Sequence, residues 1–201
     1  MINTIIFDLG GVVLNRGIWL FREFLVQNYN VTNEQTIEVF IKKYYKPYFS
    51  GKISEEEFWT NSLKDLSINA DWRELRNKLL NFFEPNKGMF ELIDLLRKNG
   101  HTTVLLSDQT NEWWPILNKK YSISSHFDNC IISSEVGVHK PEIKIYEIAL
   151  RDSKSQAEES LFIDDLENNL EPAKKIGMKT ILFKNCIDLK KELISLEIKL
   201  K

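Results

Sequence analysis

The sequence predicts an α/β protein, a doubly wound parallel sheet with a small helical segment inserted after its first strand. Thr4-Ile5-Ile6-Phe7 is an apolar run without polar alternation, which suits a strand covered on both faces. From about residue 103, strand and helix patterns alternate, as in βαβ units with right-handed crossovers. Between about residues 15 and 86, by contrast, the apolar positions follow only helical spacings.

The composition is that of an ordinary globular protein. Of 201 residues, 43% are hydrophobic and 28% are charged, and 27 basic against 29 acidic side chains give a net charge of −2. We therefore expect no nucleic acid or membrane partner, and a cytoplasmic location because no targeting or membrane segment is recognisable. Cys130 and Cys186 lack metal-ligand spacing, so we expect reduced thiols.

The first strand ends at a reactive-looking turn. Asp8 follows the apolar run directly, and Gly10 and Gly11 allow the backbone to turn sharply beyond it. In open α/β sheets, ligands bind outside the carboxyl ends of the strands, which is where Asp8 lies. An Asp at such a position can also simply cap a turn.

The helical segment is predicted as a separate small bundle. We assign residues 16–85 to this insertion, and residues 1–15 and 86–201 to the α/β core. Thr32 with Gln35 and Ser54 with Glu57 fit the capping box and mark two helix starts. Aromatic residues at spacings of three and four are typical of bundle core.

The rest of the chain supplies the remaining strands and helices. Pro85 is predicted to open a helix that ends at Gly100. A leucine stripe near the carboxyl end predicts a final amphipathic helix, docked on the sheet or pairing two subunits. The predicted strands cover residues 103–106, 129–132, 161–163 and 180–183.

Polar residues follow the later strands as well. Ser107-Asp108 and Asp164-Asp165 each come at the end of a strand, and Lys140 lies in a loop that opens a helix. Because parallel strands share one carboxyl edge, these side chains are predicted to converge with Asp8. Singly, each has a bland interpretation as a cap, a turn residue or a solvated cation.

Taken together, these motifs resemble the haloacid dehalogenase superfamily over nearly the whole chain. Within it, the sequence is most similar to the phosphatase-like branch that includes the amino-terminal phosphatase domain of mammalian soluble epoxide hydrolase. The resemblance implies a Rossmann-like core, with the helical insertion as a cap. The four motifs, in order, are FDLGGVV, LLSDQTN, GVHKPEIKIYEIAL and FIDDLENNLEPAKKIGM.

The resemblance also implies a reaction and a set of site residues. Asp8 would attack phosphorus and form an aspartyl-phosphate that water hydrolyses. Ser107 and Lys140 would hold the phosphoryl oxygens. Hard oxygen ligands of this kind suit Mg²⁺. The implied metal site is Asp8, the Gly10 carbonyl, Asp165 and, through a water, Asp164; the implied substrate-binding residues are Gly11, Ser107, Asp108 and Lys140.

Two positions depart from the family pattern. Gly10 stands where most family phosphatases have the Asp that protonates the leaving alcohol, a group typically worth ~10²–10⁴-fold in rate. We therefore expect slow turnover, a leaving group of low pKa, or a substitute acid such as His139 or a group of the substrate. Asp108 replaces a frequent Asn and adds an anion, unless it turns away or pairs with Lys140.

Three functions stay open on this reasoning. The first is a Mg²⁺-dependent phosphatase of a small phosphorylated metabolite, with no nucleic acid or membrane partner and a monomeric or weakly dimeric state. The second is a non-catalytic phospho-ligand binding or regulatory protein. The third is a metal-independent 2-haloacid dehalogenase, which Gly10 fits and the acidic pair Asp164-Asp165 argues against. Arg16 and Arg22 are interpreted as solvated cations, and the insertion's substrate contacts are sought among Tyr45, Tyr48 and Trp113.

Overall fold

The protein is built on a five-stranded parallel sheet in the order β3-β2-β1-β4-β5, as seen in a computed structural model that describes residues 1–200. The first strand is central, and the strand order reverses beside it, which creates the crevice where such sheets bind ligands. The predicted doubly wound fold is thus confirmed. The strands are β1 (Thr4–Phe7), β2 (Thr102–Ser107), β3 (Asn129–Ile132), β4 (Ser160–Asp164) and β5 (Lys179–Leu182).

Helices and their connecting loops make up the rest of the described chain, and the first six α-helices lie between β1 and β2. A π-helix (Ile37–Tyr45) joins the second and third of them, and short 3₁₀ turns precede β3 and β4. The α-helices are α1 (Gly17–Asn28), α2 (Asn33–Thr36), α3 (Lys46–Phe49), α4 (Glu55–Asp65), α5 (Trp72–Phe82), α6 (Met89–Lys98), α7 (Trp113–Tyr121), α8 (Ser133–Val136), α9 (Ile143–Asp152), α10 (Glu167–Lys175) and α11 (Cys186–Ser195).

Both faces of the sheet are covered, which explains the absence of polar alternation in its strands. On one face, Ile6 and Phe162 pack against residues of α9 and α10 such as Tyr146. On the other, Ile5 and Phe7 join a larger cluster that includes α6, α7, α11 and the aromatic residues of the inserted helices. The inserted helices therefore share their core with the sheet.

The structure confirms most of the helix ends that local sequence signals predict. Thr32 and Ser54 each form the predicted capping box, and Gly100 has the left-handed φ of a helix terminus, +89°. The prediction that Pro85 opens a helix is wrong. Helix α6 begins at Met89, because Gly88 has a φ of +82°, which no α-helix can contain.

The two segments that lead into and out of the inserted helices run side by side. Leu14 and Pro85 form an isolated antiparallel bridge. The backbone N–H of Asn86 donates to the Val13 carbonyl at 2.9 Å, and its side chain donates to the carbonyls of Val12 and Leu14. These bonds hold both connections against the loop that follows Asp8.

Two further features of the described residues concern membranes and thiols. Among residues 1–200, no helix combines the length and the apolar character that crossing a bilayer requires. Cys130 and Cys186 are both free and half-buried. Burial raises the pKa of the Cys130 thiol to about 11 and also raises that of Cys186, so both thiols keep their protons at neutral pH.

Trp113 of α7 joins the inserted helices to the core. Its ring is 1% exposed and lies within 5.4 Å of the rings of Tyr48 and Phe49, measured between centroids. Its indole N–H donates to a carboxylate oxygen of Glu55 at 2.8 Å. Trp113 therefore contributes both apolar contact and a buried hydrogen bond to the contact between the two parts of the fold.

We predict that Trp113→Ala lowers the free energy of unfolding by about 3–5 kcal/mol, because it removes a fully buried aromatic ring and leaves a cavity. Trp19→Ala is the control, since that ring is 43% exposed and its main contact is with Arg22. Its cost should stay below about 1 kcal/mol. Urea denaturation of the two variants measures the difference, and equal costs would contradict this account of the packing.

Candidate active site

Strand register brings the first two acids together. Phe7 of β1 pairs with Ile163 of β4, and the Asp8 N–H donates to the Ile163 carbonyl at 2.9 Å. One residue further on, Asp8 and Asp164 lie side by side at the carboxyl edge of the sheet, and Asp165 follows directly. One carboxylate oxygen from each of these three acids can be chosen so that all lie within 4.8 Å of one another.

The ammonium group of Lys140 lies between two of these carboxylates. Its Nζ is 2.5 Å from Asp8 Oδ1 and 2.8 Å from Asp164 Oδ2, and the Lys140 side chain is only 3% exposed. The same nitrogen lies 5.7 Å from the centroid of the Phe162 ring. The predicted convergence of Asp8, Lys140, Asp164 and Asp165 is therefore present in the structure.

Asp164 is fixed in place by groups that sequence reasoning missed. Its Oδ1 accepts the Leu166 N–H at 2.8 Å, and the Asn169 side-chain amide donates to both carboxylate oxygens at 3.1 Å. The sequence holds a signal for this contact, because Asn169 lies only five positions after Asp164, in the first turns of the helix that follows it. Asp164 therefore has little freedom to rotate.

The residues after β2 approach the same place. Ser107 ends that strand and is 1% exposed. Asp108 Oδ1 accepts the backbone N–H of Lys140 at 3.0 Å. Asp108 thus pairs with Lys140 through its backbone and fixes the loop that carries this lysine. Asp108 therefore does not turn away, but its bond is to the backbone of Lys140, whose ammonium group pairs with Asp8 and Asp164 instead.

A buried serine, which sequence reasoning did not single out, connects these loops to the inserted helices. Ser133 Oγ accepts the Gln109 N–H at 3.1 Å and lies 2.8 Å from the Phe49 carbonyl, to which it donates. Serine is a common residue after a strand, so its sequence context carries no special signal. Its contacts place the end of α3 directly over the loop that follows Ser107 and Asp108.

The electrostatics of the site reflect crowded negative charge. Burial raises the pKa of Asp8 well above its usual value, and burial also raises the pKa of Asp108 and Asp165. Burial alone would lower the pKa of Lys140, but the charges of Asp164 and Asp8 outweigh it and raise that pKa well above its usual value. The neighbouring carboxylates therefore favour the charged form of Lys140.

Arg16 is bound to the site, contrary to its interpretation as a solvated cation. Its Nε donates to Asp165 Oδ2 at 2.5 Å, and a second nitrogen donates to the Asp165 carbonyl at 3.3 Å. The Arg16 side chain is 51% exposed, whereas that of Asp165 is 5% exposed. The chain separation of 149 residues hides this pair from any local pattern.

The two glycines after Asp8 have different surroundings. Gly11 has a φ of +98°, and a Cβ built on it would overlap the Asp165 carboxylate. Gly10 has no positive φ, and a Cβ there would meet no atom within 4 Å. The position of the family's usual acid is thus open space, and only Gly11 is required to be glycine by its backbone.

The other residues considered for the site are mostly engaged elsewhere. His139 contacts the Lys140 carbonyl through Nδ1 at 2.7 Å and Glu142 through Nε2 at 3.1 Å, so it does not stand ready as a substitute acid. Trp113 is packed as described above, and Tyr48 is buried with its hydroxyl on Glu112 at 3.1 Å.

Tyr45 is different, because it ends the π-helix only partly buried and stacks on Phe49 at 4.0 Å. Burial raises its pKa well above the usual value, and the nearby charge of Asp108 adds to the effect. The phenol therefore keeps its proton and can donate a hydrogen bond near the site.

Comparison with known proteins relates this geometry to one family. The family model described as haloacid dehalogenase-like hydrolase matches residues 5–183. Mouse bifunctional epoxide hydrolase 2 is 37% identical over 115 residues, which are 54% of this chain and 20% of that protein. The chain thus spans about a fifth of that relative's length.

Two matches from Bacteroides thetaiotaomicron extend over nearly the full length of the matched chains. A D-ribitol-5-phosphate phosphatase is 28% identical over 207 residues, covering 96% of this chain and 97% of that protein. A crystal structure of a HAD family enzyme, in complex with magnesium and inorganic phosphate, has a TM-score of 0.73 at 23% identity. It covers 92% of this chain and 96% of that one, and at this identity the likeness concerns the fold.

We predict that Gly11→Ala and Gly10→Ala differ in stability. Gly11→Ala should lower the free energy of unfolding by at least about 1–2 kcal/mol, because a side chain is strained at its φ and would displace Asp165. Gly10→Ala should change it by less than about 1 kcal/mol. Thermal and urea denaturation of both variants test this, and equal destabilisation would show that the open space beside Gly10 is not available to a side chain.

Proposed function

The chain belongs to the haloacid dehalogenase-like hydrolases, and on that premise we propose that it is a Mg²⁺-dependent phosphatase of small phosphorylated metabolites that works through phosphorylated Asp8. The observation that carries the proposal is the buried group of three carboxylates with Lys140 among them. Such a group is costly to assemble and suits a ligand that brings compensating charge.

The residues at the site fit a magnesium ion. Oxygens of Asp8, Asp164 and Asp165 lie within 4.8 Å of one another, and ligands of one octahedral Mg²⁺ lie about 3–4 Å apart. When all are ionised, Asp8, Asp108, Asp164 and Asp165 exceed the cations Lys140 and Arg16 by two negative charges. When bound there, the ion would neutralise that excess and shield an incoming phosphate from the nucleophile.

We assign the ligand roles to Asp8, the Gly10 carbonyl and Asp165, with Asp164 acting through a water. Asp164 already accepts from Lys140, Leu166 and Asn169, which suits an indirect role. Asp165 is bound to Arg16, whose half-exposed side chain has room to move away when the carboxylate takes a metal.

In the proposed reaction an oxygen of Asp8 attacks phosphorus, and the bond from phosphorus to the leaving oxygen breaks. Water then attacks the aspartyl-phosphate, which releases inorganic phosphate and restores the carboxylate. Lys140 and Ser107 hold the phosphoryl oxygens, and Lys140 is the stronger contributor because its ammonium group is charged and already held beside Asp8 before the reaction begins.

The leaving oxygen must gain a proton, and Gly10 offers none. Because His139 is engaged and the pKa of Tyr45 is raised, the described residues contain no obvious replacement for that acid. We therefore infer slow turnover on alkyl phosphates and faster turnover on esters whose leaving group needs no proton.

The relatives support phosphate chemistry over halide chemistry. The D-ribitol-5-phosphate phosphatase resembles this chain end to end, and a HAD family enzyme of the same organism was solved with magnesium and inorganic phosphate. The open position at Gly10 fits a dehalogenase. The acidic pair Asp164-Asp165 does not, since a halide leaving group requires no cation beside the nucleophile.

We predict Mg²⁺-dependent release of phosphate from p-nitrophenyl phosphate and natural phosphate esters, and its loss in Asp8→Asn. The amide has the same size but cannot attack phosphorus, so the rate should fall by more than about 10³-fold. Asp152→Asn, at the exposed end of α9, is the matched control and should keep the wild-type rate.

Each alternative function gives a different result in the same assays. Halide release from 2-chloropropionate without metal would replace the proposal by the dehalogenase. Binding of inorganic phosphate without turnover of any ester would replace it by the non-catalytic function. Near wild-type activity in pure Asp8→Asn protein would exclude Asp8 as the nucleophile.

We also predict that Gly10→Asp raises turnover. The open space at Gly10 and its ordinary φ leave room for the side chain, which would place a proton donor beside the leaving oxygen. The gain should approach ~10²-fold for alkyl phosphates and be smaller for aryl phosphates, whose leaving groups are better. Steady-state rates on both classes measure it, with melting temperature and Mg²⁺ affinity recorded alongside. A folded, Mg²⁺-binding variant without any gain would show that the missing acid does not limit the rate.

A further inference from the structure

A cleft beside the proposed metal site carries four positively charged side chains. We define this basic cleft by Gly11, Arg16, Lys87, Lys184 and Lys190, and it encloses about 650 Å³. We propose that the basic cleft binds a second anionic group of the substrate, a phosphate or a carboxylate, so that the preferred substrates are phosphate esters with two anionic groups. This inference rests on the proposed function and specifies its substrate class.

The basic cleft adjoins the reacting groups through two residues already described. Gly11 lines it and stands against the Asp165 carboxylate. Arg16 lines it and donates to that same carboxylate. A ligand whose phosphate lies at Asp8 therefore has the cleft as its neighbour on the Asp165 side.

The position of the leaving group points the same way. The leaving oxygen is expected near Gly10, where the family's acid would otherwise contact it, and the space there is open. Gly10 is followed directly by Gly11, the first residue of the cleft. The part of the substrate beyond the leaving oxygen can therefore extend from the open space toward the lysines.

Arg16 is paired with Asp165, whereas the three lysines of the cleft have no acidic partner in the described part of the chain. Within residues 1–200, no Asp or Glu lines the cleft, and Lys87, Lys184 and Lys190 form no ion pair. The nearby Asp188 is occupied by Asn185 and Lys191, at 2.8 Å each. In a chain with a net charge of −2, such a local excess of cations attracts anions and steers them toward the site.

Lys140 and the lysines of the basic cleft form two separate sets of cations, which suits a substrate with two anionic groups. A phosphate at Asp8 is served by Lys140, whose ammonium group lies between Asp8 and Asp164 and does not line the cleft. The three exposed lysines of the cleft can therefore bind a second anionic group of the same substrate molecule. Each such charge pair contributes up to about fivefold in affinity at moderate salt.

The test uses straight-chain bisphosphonates of increasing length, each compared with the monophosphonate of the same chain length. Their carbon–phosphorus bonds resist ester hydrolysis, so binding to the wild-type protein with Mg²⁺ can be measured by calorimetry. We expect at least one bisphosphonate to bind about tenfold or more tightly than its monophosphonate. If the second anion instead bound at an independent site, inorganic phosphate and the monophosphonate would bind to the protein at the same time. The bisphosphonate would then bind no more tightly than the monophosphonate.

The lysines are tested by the triple variant Lys87→Gln, Lys184→Gln, Lys190→Gln, which should lose about tenfold or more of that advantage. Arg16 is left unchanged because it touches Asp165. The matched control replaces Lys64, Lys119 and Lys175 by Gln, which removes the same charge from exposed helix positions outside the cleft. The three single variants are measured as well, and the melting temperature of each variant shows whether a loss of binding comes from a folding defect.

Two results would overturn the proposal, and both are separate from failure of the proposed function. They are the absence of any bisphosphonate advantage in the wild-type protein, and an equal loss in the cleft variant and its control. If phosphatase activity is present without the advantage, this inference alone fails. If no ester is turned over but the lysine-dependent advantage is measured, the cleft is a ligand site and the proposed reaction fails.

Discussion

The site depends on the ammonium group of Lys140, which lies between Asp8 and Asp164 and is almost inaccessible to solvent. Two carboxylates this close repel each other strongly when buried, and without the lysine one of them would have to be protonated or displaced. Other contacts serve this arrangement: Asp108 fixes the backbone of Lys140, and Asn169 fixes Asp164. The remaining excess of negative charge is what makes the site suitable for a divalent cation.

The convergence of these residues could be predicted because it follows from the topology of the sheet. Asp8, Ser107 and Asp164 end neighbouring parallel strands, and neighbouring parallel strands have their carboxyl ends at one edge. The sequence could not reveal the partner of Arg16, since that contact depends on the path of a connection and joins residues 149 positions apart. Nor could it reveal the basic cleft, whose cations come from three separate segments of the chain.

Local signals predicted helix ends well where no other interaction competed. Thr32 and Ser54 form their capping boxes because every partner lies within one turn. Pro85 carries an equally good local signal for a helix start, but there the bridge to Leu14 and the left-handed Gly88 delay the helix to Met89. The π-helix that ends at Tyr45 likewise could not be predicted from the spacing of apolar residues. Such segments occur frequently at functional sites.

The bridge between Leu14 and Pro85 has a consequence for how the protein can be altered. The N–H of Asn15 donates to the Glu84 carbonyl at 2.8 Å, so the beginning and end of a stretch of some seventy residues are neighbours in space. A short turn could span that distance with little entropic cost. Exchange of the whole stretch would keep the backbone path of the sheet, but only a new segment that also covers the apolar residues now shared with the inserted helices would keep the core intact.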